Sequence, residues 1–259
     1  MRDCLVLAGP TDEIYSPAAL NLLTDAERGR AAKFLREDHR RDFIAAHLLV
    51  RRCAAQATGV PEDRLTLLQH CDRCGPGHGR PYLAEVPELG VSLSHSRGYV
   101  CAAAGPGRVG VDAEHVPAGP LEESLAAQAL SPAERALVTD NEALIRLWVR
   151  KEALIKRGEL TLDGLRATDL SALPLTGLRE ADGTHRLEWD GRHLLEWRTG
   201  SGVAACAVTD RPAALARSAG SRPEEERLGE KTDRLGGNVP GEGRFGENRF
   251  GGNVPGEGR

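Results

Sequence analysis

The segment from Val109 to Glu114 constrains the fold more than any other part of the chain, because apolar residues lead into an acidic pair. Successive side chains of a β-strand point to opposite faces, so Asp112 and Glu114 would point the same way. Two carboxylates on one face concentrate negative charge in a small volume. The sequence therefore predicts a strand that carries a paired acidic site.

A second segment, residues 141–158, is rich in helix-forming residues. Glu152 and Lys156 are four residues apart on one helical face, extending a row that begins with Leu144 and Trp148. Three carboxylates and an ammonium near a strand end suit a Mg²⁺ ion completed by phosphate oxygens and water. Each segment also has an ordinary interpretation. A strand D-x-E is commonly a solvated edge, and a Glu–Lys pair stabilises a helix by about 0.2–0.5 kcal/mol.

Together, the two segments match the motifs of one family in order, spacing and flanking residues. Residues 109–114 (VGVDAE) and 147–156 (LWVRKEALIK) resemble the G-(V/I)-D-x-E and W-x-x-K-E-(A/S)-x-x-K motifs of Sfp-type 4′-phosphopantetheinyl transferases. Upstream, residues 91–96 (VSLSHS) resemble the family's S-x-S-H-S strand end, and residues 79–82 (GRPY) resemble its G-(K/R)-P-x segment. The resemblance extends from about residue 24 to residue 208.

The resemblance implies an enzyme that transfers the 4′-phosphopantetheine arm of coenzyme A to a serine hydroxyl of an apo acyl or peptidyl carrier protein, releasing 3′,5′-adenosine bisphosphate. Mg²⁺ would be the cofactor and coenzyme A the substrate. The implied fold is α+β, with two similar halves related by a pseudo-twofold axis and the active site between them. The Trp-Lys-Glu-Ala form resembles members that serve polyketide and nonribosomal peptide biosynthesis, and a monomer is expected.

Two other functions compete with this interpretation. One is a coenzyme A binding module without turnover, against which the three carboxylates and Lys156 argue. The other is a metal-dependent hydrolase of coenzyme A or another diphosphate, for which no residue specifically positions an attacking water.

The resemblance also implies roles for individual residues. Asp112, Glu114 and Glu152 would hold the metal, and Asp112, Glu152 and Lys156 would be catalytic, with Lys156 pairing with diphosphate oxygens. Glu152 also matches the residue proposed to take the serine proton. One carboxylate cannot fully serve both roles at once, so the identity of the base stays open. The coenzyme A contacts would be Gly79, Arg80, Ser94, His95 and Lys156, joined by the N-terminal bases Arg41 first and Arg30 second.

Composition argues against other classes of protein. The formal net charge of −4 argues against general nucleic-acid binding. No apolar run approaches the roughly 20 residues of a membrane span, and the N-terminus lacks a long apolar leader, so a cytoplasmic protein is expected. Six scattered cysteines are too few for a disulfide framework in 259 residues and are expected to be reduced.

Residues 71–78 (CDRCGPGH) contain a C-x-x-C pair followed by a histidine. Cys71, Cys74 and His78 supply at most three zinc ligands, and no second pair with ribbon or finger spacing follows. The sequence favours a plain loop that leads into residues 79–82, with structural zinc as the alternative.

The order strand, helices, strands occurs twice along the chain. Strands are predicted at residues 4–8, 65–68, 91–94, 99–104, 108–112, 186–189, 193–198 and 203–208, and helices at 24–34, 37–57, 131–138 and 141–158. We expect an N-terminal half, residues 1–107, that binds coenzyme A, and a C-terminal half, residues 108–211, that carries the carboxylates and the long helix.

Residues 212–259 differ in composition from the rest of the chain. They are rich in glycine and contain GGNVPGEGR twice. Too few apolar residues are present to offset the entropy of ordering such a backbone, so a disordered tail is predicted. A partner-binding motif and a frameshifted or artificial end are the alternatives.

Overall fold

Eleven strands are found among the residues that this computed structural model describes, which are 3–71, 74–175 and 183–217. In chain order they are β1 (Cys4–Pro10), β2 (Leu67–Cys71), β3 (Gly75–Pro76), β4 (Arg80–Leu83), β5 (Leu89–Ser96), β6 (Tyr99–Pro106), β7 (Val109–His115), β8 (Thr184–Trp189), β9 (Arg192–Arg198), β10 (Val203–Thr209) and β11 (Ala213–Arg217).

The described residues form six α-helices, and several of them begin or end at a capping residue. They are α1 (Thr11–Ile14), α2 (Asp25–Ala31), α3 (Glu37–Thr58), α4 (Glu123–Ala129), α5 (Pro132–Leu137) and α6 (Asn141–Lys156). Capping boxes at Thr24 and Ser131 start α2 and α5, at the first residues of the helices predicted at 24–34 and 131–138. Gly59 ends α3 in the left-handed region at φ 84°.

Three strands of each large sheet share one arrangement, β1-β6-β5 in the first and β7-β10-β9 in the second. The first has the order β11-β1-β6-β5, and the second has the order β7-β10-β9-β8. In each, the earliest strand pairs antiparallel with the last strand of a β-hairpin, β1 with β6 and β7 with β10. A long helix follows each of these earliest strands in sequence; α3 packs on β5 and β6, and α6 packs on β7 and β10. The predicted α+β class is confirmed.

Strand β11 differs from the sequence expectation, which assigned all residues after 211 to a disordered tail. Ala213–Arg217 pair in parallel with β1, from Cys4 opposite Ala213 to Ala8 opposite Arg217. Five residues next to a Gly-rich segment give little local signal, and the pairing partner lies at the other end of the chain. Residues 218–259, with the duplicated GGNVPGEGR, lie outside the described residues.

The small third sheet was also only partly predicted. Its order is β3-β2-β4, and the sequence indicated a single strand at residues 65–68. Strands β3 and β4 are short and contain Gly and Pro, which weaken a strand signal. In the second large sheet, a tight turn joins β8 to β9 in the gap between the strands predicted at 186–189 and 193–198, and Asp190 and Gly191 both have positive φ there.

Small side chains fill the core between the two large sheets. Ala103 of β6, Ala113 of β7 and Ala205 of β10 belong to one buried cluster. Tyr99 and Trp197 join the sheets within this cluster, where the indole Nε1 donates to the phenol oxygen at 2.9 Å. Among the described residues, no helix is long and apolar enough to cross a membrane.

Gly110 allows β7 and α6 to approach each other closely. A Cβ atom built at this position would overlap the carbonyl oxygen of Ala153 and lie 2.8 Å from the backbone nitrogen of Arg157. Both are backbone atoms at the C-terminal end of α6, so neither can move without shifting that end of the helix. The glycine of the G-V-D segment therefore sets the distance between the acidic strand and the helix.

We expect Gly110→Ala to lower the free energy of unfolding by about 1–3 kcal/mol, the usual cost of overpacking a close contact. Chemical denaturation measures the change. Gly29→Ala is the matched control, because a Cβ atom at that position would have no atom within 4 Å and alanine favours helix α2. Equal stability of the two variants would contradict this account of Gly110.

Candidate functional site

Asp112 is the central carboxylate of the site. It is 3 % exposed, and its Oδ1 accepts hydrogen bonds from Ser94 Oγ at 2.8 Å and from Lys156 Nζ at 2.7 Å. Its Oδ2 is buried and has no hydrogen-bond partner. A buried carboxylate oxygen without a donor is costly, so this atom is suited to a cation.

Three serines of β5 face β7. Ser92 Oγ accepts from the backbone nitrogen of Val111 at 3.0 Å, and Ser96 Oγ donates to Glu114 Oε2 at 3.0 Å. Together with Ser94, they form a row of hydroxyls at every second residue. The sequence analysis identified this S-x-S-H-S segment but assigned no role to Ser92 or Ser96, although the alternation of a strand places all three serines on one face.

The row also changes the interpretation of Ser94. From the resemblance we expected its hydroxyl to contact a phosphate of coenzyme A. In the structure that hydroxyl donates to Asp112 and so orients the carboxylate. A phosphate contact of Ser94 stays a prediction.

Helix α6 brings Glu152 and Lys156 to the carboxylates of β7, as their shared helical face predicted. Desolvation and the neighbouring charge of Asp112 raise the pKa of Glu114 to about 8 and that of Glu152 to about 7. Desolvation opposes the charge of Lys156, yet attraction to Asp112 and Glu152 outweighs it and raises the lysine pKa. The site thus has three acidic groups around one ammonium.

A divalent cation fits this arrangement. Burial and the repulsion between the carboxylates raise the pKa of Glu114. Asp112 Oδ2 accepts no hydrogen bond. Among the described residues, one oxygen from each of the three carboxylates cannot be chosen so that all three oxygens lie within 4.8 Å of one another. An open set of this kind suits Mg²⁺, which keeps several waters and binds substrate phosphates in addition to one or two carboxylates.

His95 lies on the opposite face of β5 from the serine row. Its ring meets the ring of Phe43 edge to face, with centroids 6.5 Å apart, and the guanidinium of Arg30 lies 5.2 Å from the centre of the same Phe43 ring. The side chain is solvent-accessible but recessed among protein atoms. Desolvation and the charge of Lys156 lower its pKa to about 4. A neutral imidazole near neutral pH can still donate one hydrogen bond to a phosphate.

Arg80 reaches the C-terminal end of α6. A Cβ atom built on Gly158 would lie 2.8 Å from a guanidinium nitrogen of Arg80. The partial negative charge of a helix C-terminus favours a cation at this position. Arg80 and Lys156 therefore meet at the same end of α6, although they come from different parts of the chain.

Gly79 has a conformational role. Its φ is +92°, and a Cβ there would overlap the carbonyl oxygen of His70. Glycine is therefore required by the backbone, independently of any contact with a ligand.

Arg41 and Arg30, the two N-terminal bases expected to contact coenzyme A, have different surroundings. Arg41 pairs with Asp12 at 2.8 Å and stacks on Tyr15, with its guanidinium 4.7 Å from the ring centre. Arg30 bonds to the side-chain oxygen of Gln69 and lies beside Phe43, next to His95. The sequence placed Arg41 first and Arg30 second, and that ranking as coenzyme A contacts stays a prediction.

Lys151 has a structural role that the sequence did not reveal. It is fully buried, and its Nζ donates to Glu134 at 2.6 Å and to the backbone oxygens of Ala129, Leu165 and Thr168. This ion pair fastens α6 to α5 and to the segment that follows α6. The lysine before Glu152 thus holds helix α6 in place.

Arg150 acts in the same way on another face of α6. Its Nε donates to Glu196 of β9 at 2.6 Å, and both side chains are buried. Successive basic residues of one motif therefore anchor the helix on two different neighbours.

The comparison with known families decides the class of this domain. Residues 108–215 match the model of the 4′-phosphopantetheinyl transferase superfamily. The chain carries a domain of this superfamily. The match runs from just before β7 into β11, so it includes the three carboxylates and α6. No curated protein matches the chain.

The superfamily match confirms the predicted resemblance at this level. Phosphopantetheinyl transferases use coenzyme A and a divalent metal and act on carrier proteins, so the domain is that of a transferase. Arg30, Arg80 and His95 lie before the matched residues.

We expect Lys151→Met to lower the free energy of unfolding of the phosphopantetheinyl transferase domain by about 3–5 kcal/mol, because Glu134 would keep an uncompensated buried charge. Denaturant unfolding measures this. Arg135→Met is the matched control, since its pair with Glu123 is exposed and such pairs contribute about 0–1 kcal/mol. A Lys151 variant as stable as the control would contradict the anchoring role.

The carboxylates predict a pH effect on the metal-free protein. Glu114 and Glu152 keep their protons in the folded state at pH values where the unfolded chain has lost them, so their contribution to stability falls as pH rises towards about 8. Unfolding measured with a chelator present should show lower stability at pH 8 than at about pH 6.5. The lower of these two pH values equals the ordinary pKa of histidine in an unfolded chain. Saturating Mg²⁺ at pH 8 should restore it.

Glu114→Gln should flatten this pH dependence, whereas the exposed Glu88→Gln should preserve it. A metal-free wild type that gains stability over the same pH interval would refute the carboxylate interpretation.

Proposed function

We propose that this protein transfers the 4′-phosphopantetheine arm of coenzyme A to a serine hydroxyl of an apo acyl or peptidyl carrier protein, releasing 3′,5′-adenosine bisphosphate. The observation that carries the proposal is the buried Asp112, whose Oδ1 is bonded to Ser94 and Lys156 and whose Oδ2 has no protein partner. Glu114 and Glu152 lie close enough to Asp112 for its charge to raise their pKa values.

We propose that Asp112, Glu114 and Glu152 hold Mg²⁺. The bound ion would neutralise charge on the diphosphate oxygens of coenzyme A. The unpartnered Asp112 Oδ2 and the mutual repulsion of the carboxylates support this choice of ligands.

Three cationic side chains and the neutral imidazole of His95 suit a diphosphate and a further phosphate. Lys156 lies next to Asp112, His95 and Arg30 flank Phe43, and Arg80 lies at the end of α6. We assign Lys156 to the diphosphate, and we assign His95, Arg30 and Arg80 to the remaining phosphate and adenosine end. Arginine suits forked contacts to phosphate oxygens.

In the proposed reaction, the serine oxygen of the carrier attacks the phosphorus on the pantetheine side. The bond from that phosphorus to the bridging oxygen breaks, and the electron pair leaves with 3′,5′-adenosine bisphosphate. Lys156 stabilises the charge that develops on the leaving phosphate. We assign the serine proton to Glu152, directly or through a water molecule, and this role requires Asp112 and Glu114 to supply most of the metal contact during proton transfer.

The finer assignments belong to the same proposal. We assign the protein to the Sfp-type subfamily, with residues 1–107 contributing coenzyme A contacts and residues 108–211 contributing the carboxylates. We propose a cytoplasmic monomer that serves polyketide or nonribosomal peptide biosynthesis. The Trp-Lys-Glu-Ala form of residues 148–153 supports the subfamily and the pathway class.

The decisive experiment incubates the full chain with coenzyme A, Mg²⁺ and several apo carrier proteins, and then measures the mass of each carrier. One carrier should gain one phosphopantetheine group on its serine. Coenzyme A binding without a mass change on any carrier would favour the inactive binding module. Cleavage of coenzyme A without transfer would favour the hydrolase.

Two substitutions separate the roles of the carboxylates. Asp112→Asn should weaken Mg²⁺ binding and reduce transfer, and extra Mg²⁺ should recover part of the rate. Glu152→Gln should reduce the rate by about 10²–10⁴-fold even at saturating Mg²⁺, because a general base is lost. Glu88→Gln is the control for both variants. Full recovery of Glu152→Gln by Mg²⁺ would assign Glu152 to the metal alone.

A further inference from the structure

A second group of ligand atoms lies on the small sheet, away from the carboxylates of β7. The sulfur atoms of Cys71 and Cys74 and a ring nitrogen of His78 all lie within 4.8 Å of one another. Among the described residues, no other set of three His, Cys, Asp or Glu side chains meets this criterion. Neither cysteine forms a disulfide bond in the structure.

The backbone brings these three residues together without a ligand. Strands β2 and β3 form a hairpin in which Cys71 pairs with Gly75, and the backbone nitrogen of Gly77 donates to the oxygen of Gln69 at 3.0 Å. Gly75 and Gly77 have φ values of +85° and +103°, which glycine adopts without strain. The pairing of Cys71 with Gly75 and the positive φ values of Gly75 and Gly77 thus let the chain bring His78 back to the two thiols.

We propose that Cys71, Cys74 and His78 bind one Zn²⁺ ion through two thiolates and one imidazole. Thiolate and imidazole ligands select zinc over Mg²⁺, which prefers oxygen. Three protein ligands leave the fourth tetrahedral position to a water molecule, which the exposure of Cys74 permits. The sequence favoured a plain loop because a fourth ligand is missing, but it could not show that the three ligand atoms converge.

The zinc site would stabilise the segment that presents Arg80. Gln69, two residues before Cys71, donates from its amide nitrogen to the oxygen of Gly79 at 3.3 Å. The Cα of Gly79 also packs directly against the carbonyl group of His70. A metal bound at Cys71 and His78 therefore ties β2 to the start of β4. This inference does not depend on the proposed transferase activity.

The test is Co²⁺ binding to the reduced, metal-free full-length protein. We expect one equivalent of Co²⁺ to produce the near-ultraviolet sulfur-to-cobalt charge-transfer band and the visible bands of a tetrahedral site, and Zn²⁺ to displace both. Cys71→Ser and Cys74→Ser should remove the charge-transfer contribution of the lost thiolate. Each should also weaken affinity at least about 10–100-fold, since even the loss of a supporting contact costs that much.

His78→Asn should weaken Co²⁺ binding while it preserves sulfur ligation. His70→Asn is the matched control, because His70 is adjacent, exposed and outside the group, and its binding should equal that of the wild type. Circular dichroism checks that each variant is folded. Absence of a charge-transfer band in the reduced wild type, or its full retention in both cysteine variants, would overturn the proposal.

Hydrogen exchange gives a readout that does not involve catalysis. Zn²⁺ should slow exchange in peptides that cover residues 67–83 of the wild type and of His70→Asn, and it should have no such effect in Cys71→Ser. Equal exchange of this segment with and without Zn²⁺ would contradict the stabilising role of the metal.

Discussion

The site depends on one buried carboxylate that three elements share. Asp112 belongs to β7, its Oδ1 accepts from Ser94 of β5 and from Lys156 of α6, and its Oδ2 lacks a protein donor. Burial of such a charge is unfavourable unless it is paired and hydrogen-bonded. Its partners come from both sides of the sheet interface, so the arrangement that offsets this cost also assembles the candidate metal site.

The position of α6 follows from backbone contact and from buried ion pairs. Gly110 removes the side chain that would separate β7 from the helix, and Lys151 and Arg150 fasten the helix to Glu134 and Glu196. These pairs are sensitive to the loss of either partner, because the remaining charge would stay buried. Glu152 and Lys156 are therefore presented by a helix that is held in its C-terminal half by contacts on several sides.

Local patterns in the sequence were enough to predict most elements. The capping boxes at Thr24 and Ser131, the Gly59 helix end and the Asp190 turn are short-range signals, since each depends on residues within a few positions. Strand β11 escaped prediction because its partner β1 is distant in sequence, and β3 and β4 of the small sheet escaped because Gly or Pro interrupts the pattern.

The sequence by itself determined which side chains carry charge and which share a face: Asp112 with Glu114 on a strand, and Glu152 with Lys156 on a helix. These relations follow from the fixed periods of strands and helices. The tertiary structure alone decided which faces meet. It directed Ser94 to Asp112, placed Arg30 beside Phe43, buried Lys151 and brought Cys71, Cys74 and His78 together. Some of these contacts join residues far apart in the chain, and the cysteine–histidine group forms where glycines let the chain reverse its direction. The local periods of strands and helices specify neither kind of contact.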